Sequence, residues 1–262
     1  MGKVRLLIGY HGAKYHGWQM QKSVPTIEEA VTDAVEKMSG TRIRVWGASR
    51  TDAGVHAFGQ VACFDEVVER SEHTWYRALN RWLPHDINVY AVQKMPEAFH
   101  PRHSARGKIY TYRIWTGPLR DFHSEPFAWQ LMRPLNLPAM RRAAEVLIGE
   151  HDFSSFRAVN CDASSPIRRV RRVHIEQESR YMVKITVEGS AFLKYMVRNL
   201  VGSLVWVGTE LRPIEWMGDA LAARDRGAAG QTAPSHGLTL VAIQYPHFPW
   251  KAYAGEVFRP EG

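Results

Sequence analysis

The sequence predicts an α+β fold: a mixed, mostly antiparallel central sheet with helices packed on it, in two pseudo-symmetric halves. Two observations carry that expectation. Segments with strand-like apolar alternation are interleaved with segments whose apolar residues recur every three or four positions. Both halves combine such helices with strand pairs suited to antiparallel pairing, as helix-on-sheet folds do.

Val4 to Tyr10 is apolar and β-prone and reads as a strand, followed by a loop from His11 to Gln21 rich in Gly, Tyr and His. Thr26-Ile27-Glu28-Glu29 has the capping-box pattern of a helix start. Ile27, Ala30, Val31, Ala34, Val35 and Met38 follow at helical spacing, and Gly40 ends that helix. Ile43 to Ala48 reads as a strand, Arg50 to Ala57 as a loop, and Gln60 to Val67 as a strand with Val61 and Cys63 on one face. Ser71 can cap a helix carrying Trp75, Ala78, Leu79 and Trp82, which stops before Pro84. Ile87 to Gln93 is a further strand. Lys108 to Trp115 sets Lys108, Tyr110, Tyr112 and Ile114 against Ile109, Thr111, Arg113 and Trp115, again as a strand.

The second half repeats the rhythm. Pro138 opens a helix that ends near Gly149, and Arg168 to Glu176 and Met182 to Glu188 read as strands with a tight connection. Ala191 to Val207 reads as a long apolar helix carrying Lys194 and Arg198, Pro213 to Arg224 as a shorter helix, and Leu238 to Tyr245 as a closing strand. The expected organisation is an N-terminal half over residues 1–117, a crossing segment over 118–137, and a C-terminal half over 138–262.

The 262 residues are 45% hydrophobic and 23% charged, and 9 Trp and 10 Phe can fill a substantial core. Lys and Arg total 34 against 26 Asp and Glu, a net charge of +8 that suits a nucleic-acid partner, although charge alone also suits a soluble basic enzyme. Cys63 and Cys161 form no disulfide framework and have no second cysteine at metal-ligand spacing. His100 and His103 flank Pro101-Arg102 without a third ligand, so no metal is expected. There is no phosphate-loop pattern and no dinucleotide-binding glycine fingerprint, and Gly227 to Gly230 lacks the Lys-Ser/Thr end. No signal-peptide pattern and no apolar run of membrane-spanning length is present, so a cytoplasmic protein with no membrane partner is expected.

One segment carries chemistry. Arg50-Thr51-Asp52-Ala53-Gly54-Val55-His56 places a carboxylate just after a strand. The small residues behind it let the backbone turn sharply and let a planar ligand approach. Arg50 adds a fork that fits phosphate or carboxylate. Taken alone, the same segment also fits an aspartate making an Asx turn.

Gly47 to His56 resembles the signature of the TruA family of tRNA pseudouridine synthases. Six further segments resemble that family in its order: Gly9 to Gln19, Phe99 to Ala105, Lys108 to Arg113, Gly149 to Arg157, Phe192 to Gly202, and Thr232-Ala233-Pro234 with Gly237-Leu238. One departure is visible, since the family's first loop usually carries Asp where this chain has His11.

The resemblance implies the pseudouridine synthase fold and an isomerase that converts uridine to pseudouridine in the anticodon stem-loop of tRNA, at positions 38, 39 and 40. The C1′–N1 bond breaks, the uracil turns, and the ring rejoins through C5. Nothing is oxidised and no group is imported, so no cofactor is implied. Asp52 is the implied catalytic carboxylate, with three routes open to it: addition at C6, attack at C1′, or assistance to a glycal. Arg198 is the implied partner that keeps Asp52 ionised against desolvation. Tyr110 is implied to stack on the uracil, with Tyr112 a competing candidate on the same strand face. Arg50 is implied to hold the site opened by the flipped base. Lys14, Arg102, Arg106, Lys108, Arg157 and the arginines of 168–172 are candidates for backbone contacts, the last group also being open to solvation or pairing with Glu176 and Glu178. A homodimer bridged by one tRNA is the implied assembly. A noncatalytic RNA-binding protein on the same scaffold is the competing reading, and a DNA-binding protein has no helix-turn-helix or zinc pattern to support it.

Overall fold

A computed structural model of the chain describes residues 2–248 and residue 250, and divides it into two compact units, 1–106 with 240–262 and 107–239. The expected crossing segment, 118–137, lies inside the second unit.

In the first unit, strand β1 (Lys3–Tyr10) lies between β3 (His56–Asp65) and β4 (Ile87–Met95), antiparallel to both. Strand β10 (Leu238–Gln244) borders β3, giving the order β4-β1-β3-β10. Helices α1 (Ile27–Ser39) and α2 (Glu72–Trp82) contact each other, and α2 covers β4. Alternation in β1 puts Val4, Leu6 and Ile8 into a core that also holds Ile27, Val31, Val35, Trp75 and Leu79. Phe64 and Trp75 meet edge to face at 5.0 Å. Ser71 caps α2 as expected, accepting from the Thr74 amide at 3.1 Å. Gly40 closes α1 at φ 74, its amide bonded to the Glu36 carbonyl at 2.8 Å.

Two local expectations are corrected here. The capping box at Thr26 does not form: the Thr26 hydroxyl is buried without a hydrogen bond and caps no amide of the helix. The first amides of α1 are satisfied instead by the preceding loop, Ile27 by the Gly17 carbonyl at 3.1 Å and Glu28 by the Trp18 carbonyl at 2.9 Å. The strand expected over 43–48 shrinks to β2 (Trp46–Gly47), which pairs with Cys63 and Ala62 of β3. Further along β3, the β10 backbone presses on Gly59, where an added Cβ would lie 2.1 Å from the Val241 carbonyl oxygen.

In the second unit β5 (Gly107–Trp115), β9 (Met182–Gly189), β8 (Ile167–Gln177) and β7 (Gly149–Asp152) pair antiparallel in that order. The short β6 (Trp129–Gln130) runs parallel to β5. Helices α3 (Leu137–Glu145), α4 (Met196–Gly208) and α5 (Trp216–Ala223) complete it, with α3 packed on α4 and β8. Asn136 caps α3 through the Ala139 amide at 3.1 Å. That helix ends at Glu145 rather than near Gly149, because Gly149 takes φ 120 and starts β7. The long helix expected from Ala191 starts at Met196, since Tyr195 stands in the left-handed region at φ 63. Lys194 therefore sits in the turn before α4, 3.3 Å from the Asn160 side-chain oxygen. Glu176 and Glu178 do not serve the arginines of 168–172: Lys184 binds both, and Arg113 grips Glu178 in a bidentate pair at 2.7 and 2.9 Å.

Candidate active site

Asp52 occupies a turn closed by the Val55 amide on the Asp52 carbonyl at 3.2 Å, with Gly54 at φ 77. Its local shape is the turn that small residues permit, and three sets of contacts hold it in place. At the start, the buried Gln60 side chain accepts from the Ser49 amide at 3.2 Å and donates to the Ser49 carbonyl at 2.6 Å. In the middle, the Thr51 hydroxyl meets the Tyr10 hydroxyl at 2.8 Å, while the Thr51 carbonyl accepts from the Trp18 amide at 3.1 Å. At the end, the Gly54 amide reaches the Tyr15 carbonyl at 3.2 Å, and His56 Nδ1 accepts from the Gly12 amide at 3.1 Å.

The loop after β1 comes so close that its glycines are steric requirements. A Cβ on Gly12 would lie 2.0 Å from the Val55 carbonyl oxygen. One on Gly17, which has φ 93, would lie 2.4 Å from the Thr51 carbonyl oxygen and 3.1 Å from the Asp52 carbonyl carbon. Asp52 is thus carried by a backbone pinned from both sides, and its side chain is half-buried. The His11 ring packs on the His56 ring at 4.6 Å beside this turn.

In the second unit, Tyr110 on β5 is buried and meets Phe192 edge to face at 5.4 Å. Tyr112, two residues on, is fully buried and its hydroxyl donates to the Pro234 carbonyl at 2.8 Å. Burial pushes its phenol pKa well above the usual range, against the Arg198 charge, so it stays a neutral structural donor. Arg198 lies in the first turn of α4. Its Nε donates to the Ala233 carbonyl at 2.7 Å, and its guanidinium lies 4.8 Å from the Tyr195 ring centroid. Fixing the Nε edge orients the Nη edge of the fork.

A buried polar network behind Arg198 sets that geometry. Asn199 donates to the Phe156 carbonyl at 2.8 Å and accepts from the Thr232 hydroxyl at 2.6 Å and from Arg226 at 3.2 Å. Ser203 donates to the Asn199 carbonyl and accepts from the Gly230 amide, both at 2.8 Å. The segment 229–233 runs so near α4 that a Cβ on Gly202 would lie 1.8 Å from the Gln231 carbonyl oxygen. Sequence reasoning missed Gln60, Asn199 and Thr232 as supports, although a Gln in an apolar strand and an Asn in an apolar helix are the available signals.

The other candidates are less committed. Arg50 and Arg102 are exposed, and Lys108 and Arg157 are half-exposed. Lys14 is exposed and 3.8 Å from the Asp86 carboxylate. Arg157 faces Asp152; burial opposes ionisation of that carboxyl, but the Ser154 hydroxyl and amide with Arg224 and Arg157 hold it below its ordinary value. Among the described residues, no three His, Cys, Asp or Glu side chains gather as a metal site, and no helix is long and apolar enough to cross a membrane.

Comparison with known proteins identifies the chemistry. A family model described as tRNA pseudouridine synthase matches residues 6–104 and 143–246. The chain is 44% identical over 248 residues to a tRNA pseudouridine synthase A of Pseudomonas aeruginosa, covering 94% of this chain and 86% of that protein. It is 42% identical to one of Myxococcus xanthus over 249 residues, 95% of this chain and 94% of the relative. It is 41% identical to one of Escherichia coli over 244 residues, 93% of this chain and 90% of the relative.

Proposed function

Because the chain belongs to the family of tRNA pseudouridine synthases, isomerases that convert uridine to pseudouridine in tRNA, we propose that it acts on anticodon stem-loop uridines through the Asp52 carboxylate. The observation that carries this reading is the pinned turn: Gly17 and Gly12 on one side, and Gln60 and Tyr10 on the other, hold the Asp52 backbone before any substrate arrives. A carboxylate that must meet one ring of a flipped nucleotide benefits from such preorganisation, since holding reacting groups in place lowers the barrier directly.

Each route open to Asp52 requires it ionised before the C1′–N1 bond breaks. Arg198 is its charge partner, offsetting the desolvation that a stacked base imposes. Tyr110 packs on the uracil and is the candidate acceptor of the C5 proton. Arg50 holds the opened site, and Lys14, Arg102, Lys108 and Arg157 contact the backbone, where binding depends on salt through counterion release. The chain acts as a homodimer in the cytoplasm, where its tRNA is found; light scattering reporting a monomer at working concentration would remove the dimer from this reading.

The experiment is positional. Unmodified tRNA is incubated with the protein and each uridine is then tested for isomerisation. Pseudouridine at positions 38, 39 or 40 is the expected result. Pseudouridine confined to other positions would keep the isomerase and overturn the anticodon assignment, and none at all would overturn the reading entirely.

A further inference from the structure

In the first unit, a second set of side chains gathers around Trp46. Lys3 Nζ lies 5.6 Å and the Arg44 guanidinium 5.8 Å from the Trp46 ring centroid. The His100 ring follows at 6.4 Å and tilts at 50° to the indole, and His103 lies 4.4 Å beyond it. Lys3 also anchors this loop, donating to the Phe99 carbonyl at 2.9 Å. The Arg102 amide donates to His100 Nδ1 at 3.1 Å, which leaves the ring proton on Nε2.

Charge balance shows what the cluster fits. Burial disfavours a charged His100, and so do His103, Lys3, Arg102 and Arg44, in that order. Among the described residues no carboxylate lies within ion-pair distance of Lys3, Arg44 or Arg102. Cations held together without acidic partners repel one another, and a phosphate relieves that repulsion. Trp46 and His100 are half-exposed and His103 is exposed, so aromatic surface lies among these cations. Cations flanking open ring surfaces are what an unpaired nucleotide takes, its phosphate on the charges and its base on a ring.

We propose that Trp46, His100 and His103, with Lys3 and Arg44, form an RNA-binding platform for an unpaired nucleotide of the substrate other than the target uridine. It rests on the reading that the substrate is tRNA. Trp46 and Asp52 are six residues apart, so at most about 20 Å of chain separates them. At about 3.4 Å per nucleotide along one strand, the bound nucleotide lies within about six of the target.

The test measures the affinity of the full chain for unmodified tRNA by filter binding, across a range of salt. Arg44→Gln and Trp46→Leu are compared with Arg81→Gln, which removes an equal charge from the exposed side of α2. Circular dichroism checks that each variant is folded, and Arg44, being exposed, keeps the test open if Trp46→Leu is unstable. Arg44→Gln is expected to reduce the salt slope by about 1, and Trp46→Leu to weaken binding on the order of tenfold. A blunt RNA duplex and inorganic phosphate as competitor form the control arms. Duplex affinity should be unaffected by Trp46→Leu, and phosphate should compete only weakly. Parent-like tRNA affinity in both variants overturns the platform, and equal losses for tRNA and duplex overturn its stacking role. Failure of the isomerase reading shows separately, as absent isomerisation by the parent protein.

Discussion

Replacing Gly17 with alanine tests whether the Asp52 turn is held by contact with the loop that follows β1. Two costs are separable. Gly17 has φ 93, so any Cβ there adds about 1–2 kcal/mol of backbone strain. The new Cβ would also lie 2.4 Å from the Thr51 carbonyl oxygen, against 3.4 Å for the start of ordinary contact, so loop and turn must part by about an ångström. A displacement of that size at a reacting group costs roughly 10²-fold in rate. Gly40→Ala is the matched control: φ is 74, nothing lies within 4 Å of the added atom, and the site is the remote end of α1. Gly40→Ala should lose about 1–2 kcal/mol of stability in urea titrations, and Gly17→Ala, which adds the close contact to the strain, should lose more. Only Gly17→Ala should also lose about 10²-fold in single-turnover rate at saturating tRNA. Equal single-turnover rates in the two alanine variants would refute the argument that close approach positions Asp52.

Three further expectations follow from the same contacts. Gln60→Leu leaves the buried Ser49 amide and carbonyl without their partner and should cost about 2–4 kcal/mol, read as a lower urea midpoint at unchanged m-value. Arg198→Lys keeps the charge but loses the Nε bond to Ala233 and the planar fork; it should fold normally and slow single turnover by about 10²-fold. His100 is held below its ordinary value of 6.5 by burial and then by cationic neighbours, so near about pH 6 the folded chain binds fewer protons than the unfolded one. Stability should therefore fall as pH drops below about 6.5, and His100→Gln should flatten that slope in thermal melts at successive pH values.

Much of the fold was legible because local chemistry and tertiary structure agree. The caps at Ser71 and Gly40 form as their residue types dictate, and the buried face of β5 carries Tyr110, Tyr112 and Ile114 as the alternation predicts. Legibility failed where a distant backbone outcompeted a local partner. Thr26 has a capping-box sequence, yet the carbonyls of Gly17 and Trp18 reached the helix amides first. Ala191 to Tyr195 has helical composition, but Tyr195 adopts φ 63, and no local pattern announces that. The Asp52 turn was readable as a turn from Ala53 and Gly54. What holds it came from Gln60 and Gly17, one on β3 and one in the preceding loop, and only three-dimensional contact connects them.

The central claim, that Asp52 is the carboxylate of a uridine isomerase, is tested most directly by tritium release. tRNA carrying tritium at uridine C5 loses the label to water only when C5 becomes bonded to C1′. The parent protein should release it, and Asp52→Asn, which removes the charge and nearly preserves the shape, should bind the tRNA and release none over the same time. Release by Asp52→Asn at the parent rate would contradict the account.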